Sequence, residues 1–228
     1  MLVNDYAPTY KPDAMPRTSD VRSFTRKAEQ SRETQDRLMK SAKNLFASRG
    51  YSGTAMEDLV SKAGMTRGAL YHQYRDKRDL FRAVFEAVEI ELGQRIAREV
   101  AVETDPWEQL RAGARAFLAC ALDPAIRRIV LVDGPSVLGW EEWRRIDGQY
   151  ALGMVRTVFE VNIAAGNIPA QPVEPLAHMI VGALNEAALA VAAADDPTAA
   201  RDAFGATMDG VLEALRTTAR AARTAAHQ

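Results

Sequence analysis

From Leu38 onward the apolar residues fall into helical rows. Leu38, Ala42, Leu45 and Phe46 share one face of a helix that the pattern starts at a Ser31 cap and ends at Gly50. Met56, Leu59, Val60 and Ala63 form a second, shorter face at i, i+3, i+4 and i+7, and Gly64 follows it. Leu70 and Tyr74 mark the inner side of a third helix, Arg67 to Tyr74. Leu80, Val84, Val88 and Leu92, with Phe81 and Phe85 beside them, extend a fourth from Lys77 to about Val102. Asp105 then caps a helix with Pro106 in its first position and Leu110, Ala114, Phe117, Leu118 and Ala121 inward, running to Leu122. Asp123-Pro124 begins another, with Ile126, Ile129, Val130 and Val132 apolar, up to Gly134-Pro135. A long segment from Ser136 to Ala165 ends at Gly166-Asn167, and two helices, about Glu174 to Ala193 and Pro197 to Arg220, close the chain. No apolar run reads as long enough to cross a bilayer.

This is an all-α pattern of about nine helices. It divides into a tail over 1–30, a three-helix unit over 31–82 and a larger helical domain over 83–228. The tail has no sustained periodicity and carries Pro8, Pro12 and Pro16. Its Arg17, Arg22, Arg26 and Lys27 form either a basic arm for DNA or a solvated tail.

The three-helix unit holds most of the local chemistry. Thr54-Ala55-Met56-Glu57 has the form of a capping box, the Thr54 hydroxyl accepting from the Glu57 amide. Thr66 can cap the next helix and Asp76 the one after it. Two short helices joined by a tight Gly-containing turn make a helix-turn-helix, whose second helix enters the DNA major groove. Arg67, Gly68, Ala69, Tyr71, His72 and Gln73 then face outward. A guanidinium at Arg67 suits a bidentate bond to guanine, and Ala69, His72 and Gln73 are the other candidates for base contacts. Thr54, Thr66, Tyr71 and Lys77 are the candidates for phosphate.

Charge supports that reading. Residues 17–82 carry 15 basic and 8 acidic side chains, a net of +7, whereas 83–228 carry 13 basic and 20 acidic, a net of -7. A basic unit gains affinity for a polyanion by releasing its counterions.

Any pair of capped helices can look like a helix-turn-helix. Here Gly50-Tyr51, Thr54, Leu59-Val60, Ala63-Gly64-Met65-Thr66, Gly68-Ala69-Leu70-Tyr71-His72, Tyr74, Lys77 and Leu80-Phe81 occur together and in order. Over roughly Gln35 to Val84 the chain resembles the tetracycline-repressor (TetR) family of bacterial transcription regulators. The resemblance implies a double-stranded DNA operator, a small-molecule effector held among the middle helices, and a homodimer formed through the last two helices. It also implies that the helix after the reader links ligand to DNA.

Residues that suit the implied pocket are Phe117, Cys120, Trp140, Trp143, Tyr150, Met154, His178 and Asn185. His178 reads equally as a satisfied core histidine, and Trp140 and Trp143 as subunit-interface residues. For the dimer the small and apolar Ala183, Ala187, Val191, Met208, Val211 and Leu215 are the candidates. The function expected is a dimeric repressor released from its operator by an effector. The alternatives are an architectural DNA-binding protein without effector and a helical enzyme or carrier. Against the last, there is no nucleophile–base set, phosphate loop or metal spacing, so neither catalytic residues nor a cofactor are expected. His72, His178 and His227 are scattered, and the single Cys120 permits no internal disulfide. With no signal-peptide pattern at the N-terminus, the expected compartment is the cytoplasm.

Overall fold

The structure is a computed structural model and describes the backbone of residues 18–226 and the side chains of residues 30 and 32–216. Nine α-helices and one π-helical segment occur among the described residues: α1 (Thr18–Arg49), α2 (Met56–Ala63), α3 (Arg67–Gln73), α4 (Lys77–Val100), α5 (Pro106–Cys120), the π segment (Ile126–Asp133), α6 (Gly134–Leu138), α7 (Trp140–Ala164), α8 (Val173–Ala193) and α9 (Pro197–Ala226).

Helix α1 begins at Thr18, well before the expected Ser31 cap. Its first half has no apolar stripe, so periodicity gave no sign of it. Yet 18–30 holds no Gly or Pro, and Arg26 to Gln30 are all strong helix formers. Propagating a helix that packing has already nucleated costs little. The expected basic arm of Arg17, Arg22, Arg26 and Lys27 lies outside the residues whose side chains are described.

Helices α1 to α3 close on Leu38, Phe46, Leu59 and Leu70, all fully buried. Helix α4 starts in that core with Leu80 and Phe81 and runs unbroken into the larger body, where Phe85, Val88 and Leu92 are buried. It therefore crosses the 82/83 boundary as one rigid rod. A second buried cluster, with Trp107, Leu118, Phe159 and Leu212, joins α5, α7, α8 and α9.

The stretch after Asp123 winds as a π-helix rather than an α-helix. The wider turn leaves Val132 exposed and buries Asp133. Trp143 braces the segment by donating its Nε1 hydrogen to the Val130 carbonyl at 2.9 Å.

Helix α8 corrects another expectation, for by length and composition it is apolar enough to cross a membrane. Its apolar character has a local cause. Leu176, Ala177, Ile180, Leu184 and Ala187 pack into the second core, while Ala188 and Val191 reach the first.

Candidate functional site

The turn between α2 and α3 follows from its sequence. Gly64 takes φ 65°, the left-handed conformation that ends α2. The Thr66 side chain accepts from the Ala69 amide at 3.2 Å and starts α3. Asp76 accepts from the Asp79 amide at 2.8 Å and starts α4. Leu70 and Tyr74 turn inward, and the Tyr74 hydroxyl donates to Met39 Sδ of α1 at 3.5 Å.

That arrangement leaves Arg67, Gly68, Ala69, Tyr71, His72 and Gln73 together on the exposed side of α3. A Cβ built at Gly68 would meet nothing within 4 Å, so a partner can approach the backbone closely. Arg67 is held at the surface by a 3.3 Å ion pair with Glu57 and lies 5.6 Å from the centre of the Tyr71 ring. Both contacts are solvent-exposed and weak enough to exchange for a base or a phosphate.

Two of the expected phosphate contacts belong inside the fold instead. Thr54 is buried, and its hydroxyl donates to the Gly50 carbonyl at 2.8 Å. The capping box does not form: α2 starts after Ala55 with no side-chain cap, and Glu57 faces Arg67. The chain leaving Gly50 turns too tightly for Thr54 to serve the next helix. Lys77 donates to the carbonyls of Tyr51 at 2.9 Å and Thr54 at 3.0 Å, and its ammonium sits 4.2 Å from the Tyr51 ring centre. It clamps the α1–α2 loop onto α4. Replacing Lys77 by Ala is expected to destabilise the fold by about 2–3 kcal/mol, because two charge-assisted bonds are lost from a half-buried group. A thermal melt of the variant checks this, and an unchanged melting temperature would contradict the clamp.

A set of contacts that the sequence did not signal ties the three-helix unit to the larger body. The Tyr51 amide donates to Asp133 Oδ2 at 2.7 Å, and Arg128 pairs with the same oxygen at 3.2 Å. Arg78 donates to the carbonyls of Val137 at 3.0 Å and Leu138 at 2.8 Å and pairs with Glu142 at 2.6 Å. Arg82 pairs with Glu142 at 2.9 Å. Gly50, at φ 72°, lets the Arg128 guanidinium lie against bare backbone where any Cβ would collide with it. These partners lie far apart in the chain, so no local pattern announces them. Lys43 is likewise paired, with Glu91 of α4.

The larger body contains a cavity of about 430 Å³, within the size range of small-molecule sites. Its walls come from α4 (Ile96, Ala97, Val100), α5 (Leu110, Phe117), α7 (Met154, Val158), α8 (Ile180, Asn185) and α9 (Leu212). Among the lining residues only Gln109, Thr157 and Asn185 are polar. Phe117, Met154 and Asn185 of the expected set line it.

The other pocket candidates lie elsewhere. Cys120 is in the core shared by α4 and the π segment, and burial pushes its thiol pKa up. Trp143 is buried under the π segment, and Trp140 stacks on it at 5.1 Å from the exposed side. Tyr150 packs against the first core. His178 faces outward, 3.2 Å from Glu174. Helical spacing placed each on an apolar or neighbouring face but not in the cavity, because several apolar faces of α5, α7 and α8 meet different neighbours.

The signal that was readable, and missed, is a carboxylate inside an apolar row. Glu89 stands four residues after Phe85, and Asp147 four after Trp143. Both are buried. Asn185 donates to Asp147 Oδ2 at 2.7 Å, and Glu89 Oε1 has no hydrogen-bond partner among the described residues. Burial, together with the charge of Asp147, pushes the Glu89 pKa up to about 8. Burial also raises Asp147, against the Asn185 bond and the Arg144 charge.

The dimer candidates divide in the same way. Ala183 and Val211 are exposed. Ala187, Val191 and Met208 are buried within the chain's own core, and Leu215 packs against it. They are therefore not free to meet a second copy. Both helices are apolar on more than one face, and spacing alone does not say which face turns inward. Exposed beside Ala183 and Val211 on α8 and α9 are Met179 and Phe204.

Residues 38–84 match a family described as bacterial regulatory proteins, tetR family, and residues 107–215 match the tetracyclin repressor-like C-terminal domain. A crystal structure of a TetR-family transcriptional regulator from Pectobacterium atrosepticum is 34% identical, with a TM-score of 0.73, covering 83% of this chain and 96% of that one. The transcriptional regulator AcrR of Shigella flexneri is 34% identical over 104 residues, 45% of this chain and 48% of AcrR. The crystal structure of RolR with resorcinol shares the fold at 20% identity and a TM-score of 0.64, covering 85% of this chain and 94% of RolR.

Proposed function

Because the chain belongs to the TetR family of DNA-binding transcriptional regulators, and is not an enzyme, we propose that it is a homodimeric repressor released from its operator by a small-molecule effector. The observation that carries this reading is the path of α4. Its first turn holds the reader through Lys77, and its last turns form one wall of the apolar cavity. A ligand that shifts Ile96 to Val100 therefore shifts the base of the helix-turn-helix.

In this reading Arg67, Ala69, His72 and Gln73 contact base edges, with Gly68 letting the backbone close in. Thr66 and Tyr71 hold phosphates. Ala183 and Val211, with Met179 and Phe204, meet the same surface of a second copy in the cytoplasm. Resorcinol in RolR is precedent for a small ligand in this fold. A ligand changes DNA affinity only by binding the two protein conformations unequally. The two recognition helices of a dimer must stand about 34–36 Å apart to enter successive major grooves. An effector that stabilises another spacing lowers affinity.

The test is binding of purified protein to the DNA upstream of its own gene, against random DNA, at two salt concentrations. Tight, selective binding that weakens with salt supports the reader. Weak binding, equal on both DNAs and across a genome-wide selection of fragments, favours the architectural alternative. Replacing Arg67 by Ala is expected to cost about 1–3 kcal/mol on the cognate site and to relax one base position. Equal loss on every sequence would assign Arg67 to phosphate instead.

A further inference from the structure

We infer that the ligand accepted by the cavity is an amphipathic primary amine, with its apolar body in the cavity and its ammonium group reaching past Phe117 and Asn185 to the carboxylate of Asp147. This rests on reading the cavity as a ligand site and names the chemistry it selects.

Shape gives the first support. Next to the cavity lies a recess of about 10 Å³, and Phe117 and Asn185 line both spaces. Asp147 stands in the wall of the recess. That volume takes one water-sized group. An –NH3+ head is of that size, whereas a trimethylammonium head is not.

Charge gives the second. Glu89 is 3% exposed and Asp147 4% exposed. Asp147 accepts one bond from Asn185, but Glu89 Oε1 has no partner among the described residues. A buried carboxyl group without a partner is costly, and an opposing charge with donors relieves it. The cation that acts electrostatically on this pair is Arg144, through Asp147. Among the described residues no charged side chain lines the main cavity. A primary ammonium supplies three donors, enough for the Asp147 carboxylate and the Asn185 amide oxygen, whose residues both line the recess. Anionic amphiphiles would meet like charge. Neutral alcohols fill the cavity and leave Asp147 without a counter-ion.

The experiment is calorimetric titration of the full chain at pH 7 with octylammonium, octanol, octanoate and octyltrimethylammonium. Octylammonium is expected to bind roughly tenfold or more tighter than the other three, the margin a charge-assisted bond provides. The double variant Glu89→Gln, Asp147→Asn is expected to lose this preference and to keep its octanol affinity. Octanol or octanoate binding the unaltered chain as tightly as octylammonium would overturn the assignment, whether or not the double variant folds. So would a preference that survives in the variant. Operator release is followed in parallel. Preferential octylammonium binding without release upholds the ligand class and removes the effector role. Release by compounds other than amines, without octylammonium preference, does the reverse.

Discussion

Replacing Trp143 by Ala is expected to lower unfolding stability by about 3–5 kcal/mol, the range for losing a large buried aromatic. Trp143 is 1% exposed and fills the space between α7 and the π segment. Its truncation removes packing against Trp140 at 5.1 Å and the bond to the Val130 carbonyl at 2.9 Å. Gly134 cannot compensate by substitution, because a Cβ there would still stand 2.9 Å from Phe85 and 3.0 Å from the Ile129 carbonyl oxygen. The consequence extends to DNA. The π segment ends at Asp133, which accepts the Tyr51 amide of the reader unit. Loosening the segment therefore loosens the contact that seats the reader, and DNA affinity falls with stability. Urea unfolding at fixed protein concentration reads the first effect, since dimerisation makes apparent stability depend on concentration. A loss below about 1 kcal/mol would show that the indole is not structural.

Replacing Glu89 by Gln is expected to stabilise the protein at pH 8 and to leave it nearly unchanged below pH 4.5. In the unfolded chain Glu89 ionises near its ordinary value of 4.5, while in the fold it keeps its proton up to about pH 8. Between those values the folded state binds the extra proton. Stability therefore falls as pH rises, by roughly 1.4 kcal/mol per pH unit for this group alone. The sign is that of a raised acid: its contribution is fully present below pH 4.5 and is lost by about pH 8. Asp147 is raised by burial too and pulls in the same direction, with Arg144 opposing. Gln cannot ionise, so the variant's profile should be flatter and should exceed the parent by a few kcal/mol at pH 8. Parallel profiles for the two proteins would contradict the buried-acid account.

Sequence reading stops where residues far apart in the chain decide the outcome. Features made within three or four residues were legible: the Gly64 turn, the Thr66 and Asp76 caps, and the Asp105-Pro106 start of α5. Each depends on a side chain meeting a neighbouring amide or on one backbone angle. Thr54 looked equally local, but a tight loop turned its hydroxyl back to Gly50. Lys77 looked like a phosphate ligand because a free ammonium and a clamping one have the same spacing in sequence. The exposed face of α3 followed from Leu70 and Tyr74 alone. By contrast, the π winding is a register choice set by packing around Asp133 and Trp143. The choice of inward face on α8 is set by α5, α7 and α9 together. The cavity is what five helices leave between them, so its lining was accessible only where a residue such as Phe117 or Asn185 happened to sit at their meeting point.

The central claim is that cavity and reader communicate through α4. Its most direct test is the distance between readers in a dimer, measured by pulsed dipolar spectroscopy with spin labels at Lys62→Cys, an exposed position on α2. Cys120 is buried, which keeps the label at the introduced thiol. On operator DNA the distances should fit recognition helices about 34–36 Å apart. A saturating cavity ligand should move the distribution to a distinct distance and release the DNA. An unchanged distribution with the ligand bound would contradict the account.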